Sequence, residues 1–218
     1  MVITEVIPQR IPEILVVRYR QFADFRGHFV ETLRTAPFAQ NGGHPLLQGT
    51  TLQGAQFVQV NESYSVAKTF RGLHFQHPYQ GKLVRVISGH LIDFAVDIRP
   101  NSPTFGQLLA YEMPERLGHD FAEWIWIPAG FAHGIYMREK SVIEYFCTAV
   151  WNPQGEVTLS PMTRGLQFDY CDPSLKQIFL DALADPETKL KDRDRDGLQL
   201  KEWLEHPLAG HFAYERWK

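Results

Sequence analysis

The stretch "TFRGLHFQHPYQGKLVRV", residues 69–86, carries Arg71, His74 and Lys82 in one short segment. A histidine titrates near neutrality, which suits proton transfer. An ammonium beside it can hold the negative charge that proton removal leaves behind. A guanidinium can grip an anion through paired, charge-assisted hydrogen bonds. Each residue alone has a plainer reading: a packed or surface histidine, or a lysine guarding a sheet edge. Together they point to a site that binds an anion and moves a proton. Gly72 relaxes the backbone between Arg71 and His74.

The elements that must position these groups are mostly strands. In "KLVRVISGHLIDFAVDIR", Val84 and Val86 alternate with Leu83, Arg85 and Ile87. After a turn at Ser88-Gly89, Ile92, Phe94, Val96 and Ile98 alternate with Asp93, Ala95, Asp97 and Arg99. Period-2 alternation predicts half-buried strands joined by a hairpin. "EWIWIPAG" and "SVIEYFCTAVW" predict further short strands. Near residue 170 the pattern changes: "DPSLKQIFLDALAD" sets Asp172 as an N-cap before Pro173, with apolar residues at helical spacing. A second helical piece is predicted over Leu198–Leu204. Residues 36–56 read as a loop insertion that could fold over the mouth of a pocket. Many short strands followed by small helices predict a mainly β sandwich or jelly roll in one domain spanning 1–218, its core at about 20–160 and a helical appendage at about 170–218.

Composition narrows the partners. A net charge of −3 gives no long-range field favouring nucleic acid or an anionic membrane. Any anionic ligand must therefore be held by a local cluster of Arg and Lys. No window reaches the ~18 consecutive apolar residues of a membrane helix. "MVITEVIPQRIPEILVV" lacks a basic region followed by an uninterrupted apolar core, so no signal peptide is expected. Two cysteines, Cys147 and Cys171, do not form a disulfide framework, and a cytoplasmic location is the expectation.

"IPAGFAHGIY" sets Pro128, Gly130 and His133 at P-x-G-x-x-H spacing, which resembles the second motif of the cupin superfamily, double-stranded β-helices enclosing a pocket. His74, His77 and His133 would be the metal set of such a fold. Residues three apart on a regular strand face opposite sides, so no metal is expected there. More specifically, "DFRGHFVE" (24–31), "FVQVNESYS" (57–65), "RGLHFQ" (71–76), "QGKLVRV" (80–86), "VDIRPNSPTFG" (96–106), "WIPAGFAHG" (126–134) and "EYFCTAVWNPQGE" (144–156), in that order, resemble the dTDP-4-dehydrorhamnose 3,5-epimerase family, a cofactor-free branch of the cupins.

The resemblance implies a nucleotide-linked 4-keto-6-deoxyhexose as substrate, dTDP-linked by preference, with protons removed beside the ketone. It implies that His74 is the base, that Lys82 holds the enolate oxygen, and that Tyr145 returns a proton from the opposite face. It implies an acidic partner for His74 in "KLKDRDRDGLQL", where Asp194 is preferred to Asp192 because Leu200 then falls where the family has its next leucine. The implied substrate-binding residues are Arg26, Phe29, Glu31, Gln59, Asn61, Arg71, His133, Glu156 and Arg193, with Trp151 stacking on the base. Arg26, Glu31, Gln59 and Asn61 are implied to reach across a strand-exchanged homodimer.

"DRDRDG" also resembles the start of a calcium loop, but Trp203 stands where the bidentate Glu is required. A solvated charged turn is the expectation. The alternatives to epimerisation are a 3,4-ketoisomerase, a metal-dependent cupin enzyme and a silent sugar-nucleotide-binding cupin.

Overall fold

The computed structural model describes residues 1–217. Its strands are β1 (Ile3–Pro8), β2 (Leu15–Arg20), β3 (Phe22–Asp24), β4 (Gly27–Phe29), β5 (Gln59–Ser65), β6 (Thr69–Gln76), β7 (Lys82–Ser88), β8 (His90–Asp97), β9 (Leu108–Pro114), β10 (Phe121–Ile127), β11 (Phe131–Met137), β12 (Ser141–Cys147), β13 (Glu156–Thr158) and β14 (Lys189–Leu190). Its helices are α1 (Pro173–Ala184), α2 (Asp192–Arg195) and α3 (Leu200–Glu205).

One sheet runs β1-β2-β10-β7-β12-β5 and the other β13-β6-β11-β8-β9, with β14 added to β6. Apolar residues from both inner faces, among them Val16, Val84, Ala95, Ile125, Phe131 and Ile143, fill the space between them. This is the cupin-type double-stranded β-helix, with small C-terminal helices on its flank. The first sheet begins at Ile3, well before the expected start of the core at about residue 20.

Both sheets are also covered on their outer faces. Phe179 and Ala182 of α1, Leu200 and Trp203 of α3, and Phe212 pack on Phe70, Leu73, Phe75, Phe94 and Val96. Burying such large side chains contributes roughly 1.5–3 kcal/mol each. α1 begins as its sequence dictates, the Asp172 carboxylate accepting from the Ser174 amide at 2.8 Å. The second helical piece is α3, shorter and later than the predicted Leu198–Leu204.

Two expectations are corrected. β8 is buried on both faces, not half-buried, because helices cover one side and the opposing sheet the other; Asp93 and Asp97 are therefore interior. Residues 36–56 do not fold over the cleft. Phe38, Leu47 and Leu52 bury themselves against Trp124, Trp126 and Phe146, roofing the outer face of the first sheet. Apolar residues in a loop seek the nearest uncovered apolar surface, and here that surface is the tryptophan-rich face of β10.

A bulge in β6 decides where the chemistry-bearing residues point. His133 of β11 lies opposite His74, and Ile135 lies opposite Arg71, so β6 spends one residue more than its partner. The extra residue turns Arg71 and His74 to the same inner face, while Phe70, Leu73 and Phe75 face the helices. Gly72 occupies the bulge at φ +111°, and a Cβ there would lie 2.6 Å from both the Gly134 Cα and the His133 carbonyl oxygen. Only glycine fits.

Candidate active site

Between the sheets, a cavity of about 520 Å³ is lined by Arg71 and His74 of β6, His133 of β11, Lys82 of β7, Tyr145 of β12 and the 188–194 segment. A second lobe of about 330 Å³ shares His74, Lys82 and Tyr145 with it and adds Gln59, Asn61, Gln76, Gln80, Trp151 and Glu156. His74 and His133 stand on one sheet, Lys82 and Tyr145 on the other. The cleft thus has an imidazole wall facing a wall that carries an ammonium and a phenol.

Strand register explains the second wall. Lys82 lies opposite Cys147, and Val84 lies opposite Tyr145, so all four share a face. Across the next ladder Gln59 lies opposite Cys147 and Asn61 opposite Tyr145. The Gln59 amide donates to Asn61 Oδ1 at 2.9 Å, and its carbonyl accepts from the Trp151 backbone amide at 2.8 Å.

His74 Nε2 lies 2.8 Å from Asp194 Oδ1, and Asp194 Oδ2 accepts from the Gly72 amide at 3.2 Å. Arg193 Nη2 also approaches His74 Nε2, at 3.4 Å. One ring nitrogen cannot donate to the carboxylate and accept from the guanidinium together. The Asp194 contact is the shorter, and its side chain is only 4% exposed, whereas Arg193 is 57% exposed and pairs with Glu156 at 2.9 Å. Nε2 therefore carries the proton toward Asp194, which leaves the Nδ1 lone pair available as a base.

α2 delivers Asp194 to this position, and that excludes the calcium-loop reading: Asp194 is buried against the histidine while Asp192 pairs outward with Arg195. His77 packs against Tyr79 and His211. Among the described residues no group of three or more His, Cys, Asp and Glu side chains could hold a metal ion.

The electrostatics follow from burial. Loss of solvation pushes the Lys82 ammonium down from its ordinary value, opposed by Cys147, Glu156 and Asp93. The same cause pushes the Tyr145 phenol up, so it carries its proton at neutral pH. Burial would raise Asp194, but the hydrogen bond and charge of His74, with the Gly72 amide, hold it below 3.8. Around the larger lobe Arg71, Lys82, Lys189, Lys191 and Arg193 face the single carboxylate Asp194. A chain of net negative charge thus presents a local cationic pocket.

Three expected binding residues stand elsewhere. Arg26 is on the β3–β4 hairpin, 76% exposed and paired with Asp24 at 2.7 Å; Phe29 on the same hairpin is 69% exposed. Glu31 pairs with the Met1 amino terminus and with Arg34. Gln59 and Asn61, by contrast, line this chain's own cleft.

Comparison with known proteins follows this geometry closely. Residues 8–202 match the model of the dTDP-4-dehydrorhamnose 3,5-epimerase family. The chain belongs to this family. The family's enzyme from Pseudomonas aeruginosa is 36% identical over 189 residues, covering 86% of this chain and 91% of that one. The Sinorhizobium fredii enzyme is 38% identical over 169 residues, 76% of this chain and 75% of that one. Among solved structures, a Legionella pneumophila 3,5-epimerase in complex with dTDP-4-keto-L-rhamnose superposes with a TM-score of 0.72 at 31% identity, covering 90% of this chain and 93% of that one. A Mycobacterium tuberculosis epimerase gives 0.74 at 26%, covering 98% and 96%. The present epimerase is thus an enzyme of this class, built on a cupin fold.

Sequence reasoning missed Asp93, Lys189 and Lys191 in this epimerase. Lys191 directly precedes the residues searched for the histidine's partner, so its charge was in view; Asp93 was hidden in an alternating pattern read as solvent-facing. The His74–Asp194 pair also makes the epimerase acid-sensitive. A carboxylate depressed in the folded state contributes stability above its ordinary value of 3.8, and loses it as pH falls through the folded value. Thermal melts from about pH 6 down to about pH 3 are expected to show wild type losing its advantage over Asp194→Asn as the pH falls. A constant difference across that range would separate Asp194 from the acid transition.

Proposed function

We propose that this epimerase inverts carbon 3, carbon 5 or both of a dTDP-linked 4-keto-6-deoxyhexose by way of an enolate, with His74 as the base. Hydrogens on those carbons lie beside the ketone, so removing either leaves a negative charge on the keto oxygen. Lys82 holds that charge and Asp194 steadies the imidazolium that His74 becomes. Tyr145 returns a proton from the other side. A single base working on one face would regenerate the starting sugar, so inversion needs a donor across the ring.

The observation that carries this reading is the placement of His74 and Tyr145 on facing sheets with Lys82 in the same cavity. Arg71, His133, Glu156 and Arg193 surround the diphosphate and sugar, and Trp151, which is half exposed at the lobe it shares with Gln59 and Asn61, stacks on the base.

Arg26, Phe29 and Glu31 reach a cleft only if the hairpin crosses to a second copy. Phe22, Phe25 and Phe29 stand exposed on it, and an apolar hairpin facing water is what a strand-exchanged homodimer covers. Both cysteines are free, and among the described residues no helix is long and apolar enough to cross a membrane, which fits work in the cytoplasm on a small soluble metabolite in surface-polysaccharide or glycoside biosynthesis.

The test is incubation with dTDP-4-keto-6-deoxyglucose in deuterated water, read by NMR and mass spectrometry. Deuterium at carbons 3 and 5 of an inverted product is expected; label at one carbon alone identifies a single-site epimerase. Absence of label, or a carbonyl moved along the ring, overturns the assignment.

A further inference from the structure

We infer that Ser65 is a positioning residue of the cleft, whose buried hydroxyl holds one edge of the Arg71 guanidinium so that another edge stands ready for the substrate's diphosphate. The inference deepens the reading of Arg71 as a residue that grips the diphosphate, and rests on it.

β5 ends the first sheet, and its two faces differ. Val60 and Tyr64 are exposed on one face, while Gln59 and Asn61 line the smaller lobe of the cleft and Ser63 the larger. Alternation puts Ser65 on the cleft side with them. It is 3% exposed, and its backbone is fixed in the ladder opposite Ser141 of β12. Six residues later Arg71 stands on β6, in the other sheet. Its Nε donates to Ser65 Oγ at 2.9 Å, and its Nη2 reaches the Tyr64 carbonyl oxygen at 3.4 Å. A side chain rooted in one sheet is thus tied to the strand that faces it.

A guanidinium carries its N–H donors in a rigid plane. Nε and the neighbouring Nη2 hydrogen form one edge, and Ser65 and Tyr64 occupy it. Nη1 and the second Nη2 hydrogen form a parallel pair, the arrangement that meets two oxygens of a phosphate. That pair is left for an anion in the cavity that Arg71 shares with His74, Lys82 and Tyr145. Both partners of the first edge are neutral, so they orient the guanidinium without cancelling its charge. Arg193, by contrast, pairs with Glu156 at 2.9 Å, whereas among the described residues no carboxylate pairs with Arg71. The Ser65 hydroxyl serves no other group among the described residues. A free arginine side chain has many rotamers to lose, and fixing Nε before the substrate arrives lowers the ordering cost of binding.

The test titrates dTDP by calorimetry into wild type, Ser65→Ala, Arg71→Ala and the double variant. Arg71→Ala is expected to bind about tenfold more weakly or worse, and Ser65→Ala about three- to tenfold more weakly. The double variant should bind no more weakly than Arg71→Ala, because a serine that acts through Arg71 then has nothing to hold. In turnover, Ser65→Ala should raise KM by the same factor and leave kcat within about twofold; a serine that merely braces the fold would lower the active fraction and leave KM in place. Unchanged affinity in Ser65→Ala beside a weakened Arg71→Ala overturns the inference alone. So does a Ser65→Ala loss that persists in the double variant. Arg71→Ala binding dTDP as tightly as wild type overturns the diphosphate reading itself. In ¹⁵N-labelled protein free of ligand, the Arg71 Nε–H resonance, identified by its absence from Arg71→Ala, should exchange slowly with solvent and lose that protection in Ser65→Ala. If Ser65→Ala does not fold, wild type still decides: an Arg71 Nε–H that exchanges as fast as those of exposed arginines overturns the proposal.

Discussion

His74→Ala is expected to abolish exchange of the sugar's carbon-bound hydrogens with solvent while the protein remains folded. General-base catalysis contributes roughly 10²–10⁴-fold, and no neighbouring group replaces it here. Asp194 holds His74 Nε2 and is itself buried, and the Tyr145 phenol, pushed up by burial, carries its proton where a base needs a lone pair. A loss near a thousandfold corresponds to about 4 kcal/mol of barrier. Fold retention is a fair demand, because His74 faces the cleft and is a quarter exposed, whereas the β6 residues that brace the helices are Phe70, Leu73 and Phe75. Deuterium uptake by mass spectrometry, paired with a thermal melt, reads both quantities. Near-normal turnover in a folded His74→Ala protein would remove His74 from the chemistry.

Tyr145→Phe separates two events that wild type performs together. The base on the opposite sheet is untouched, so label should still enter the sugar from the His74 face. Without the phenol, nothing on the β12 wall returns a proton, and the carbon recovers its starting configuration. The expected product is labelled but not inverted, with net epimerisation down roughly 10²-fold or more. Chiral assignment by NMR coupling constants checks it. Inverted product at normal yield would mean that a donor other than Tyr145 serves that face.

The residue types of the site were legible because their chemistry is rare in strands and their motifs fall in order. Asp194 is the clearest case: 120 positions separate it from His74, and only the resemblance linked them before the fold brought them to 2.8 Å. Arg71 and His74 were harder to read. Regular alternation puts residues three apart on opposite faces, and only the bulge at Gly72 reverses this. Asp93 was illegible because alternation marks one face as polar and assigns it to water. In β8 helices occupy one side and a second sheet the other, so a polar residue in that strand signals a buried partner. The 36–56 segment misled for a related reason. It read as a loop insertion over the mouth of a pocket, and the burial of Phe38, Leu47 and Leu52 depends on a tryptophan surface formed far along the chain.

The bulge in β6 also sets how this enzyme can change length. Delete one residue between Arg71 and His74 and β6 becomes a regular strand in which the two, now two positions apart, still share the inner face, so the deletion removes the bulge and leaves both orientations as they are. Insert one, and the strand beyond the insertion reverses faces, which would take Phe75 out of its contact with Trp203 and Phe212. The exposed tip at 117–120, between β9 and β10, carries no such arithmetic. Insertion is therefore absorbed at the rim of this scaffold and not in β6, where one added residue turns the rest of the strand over.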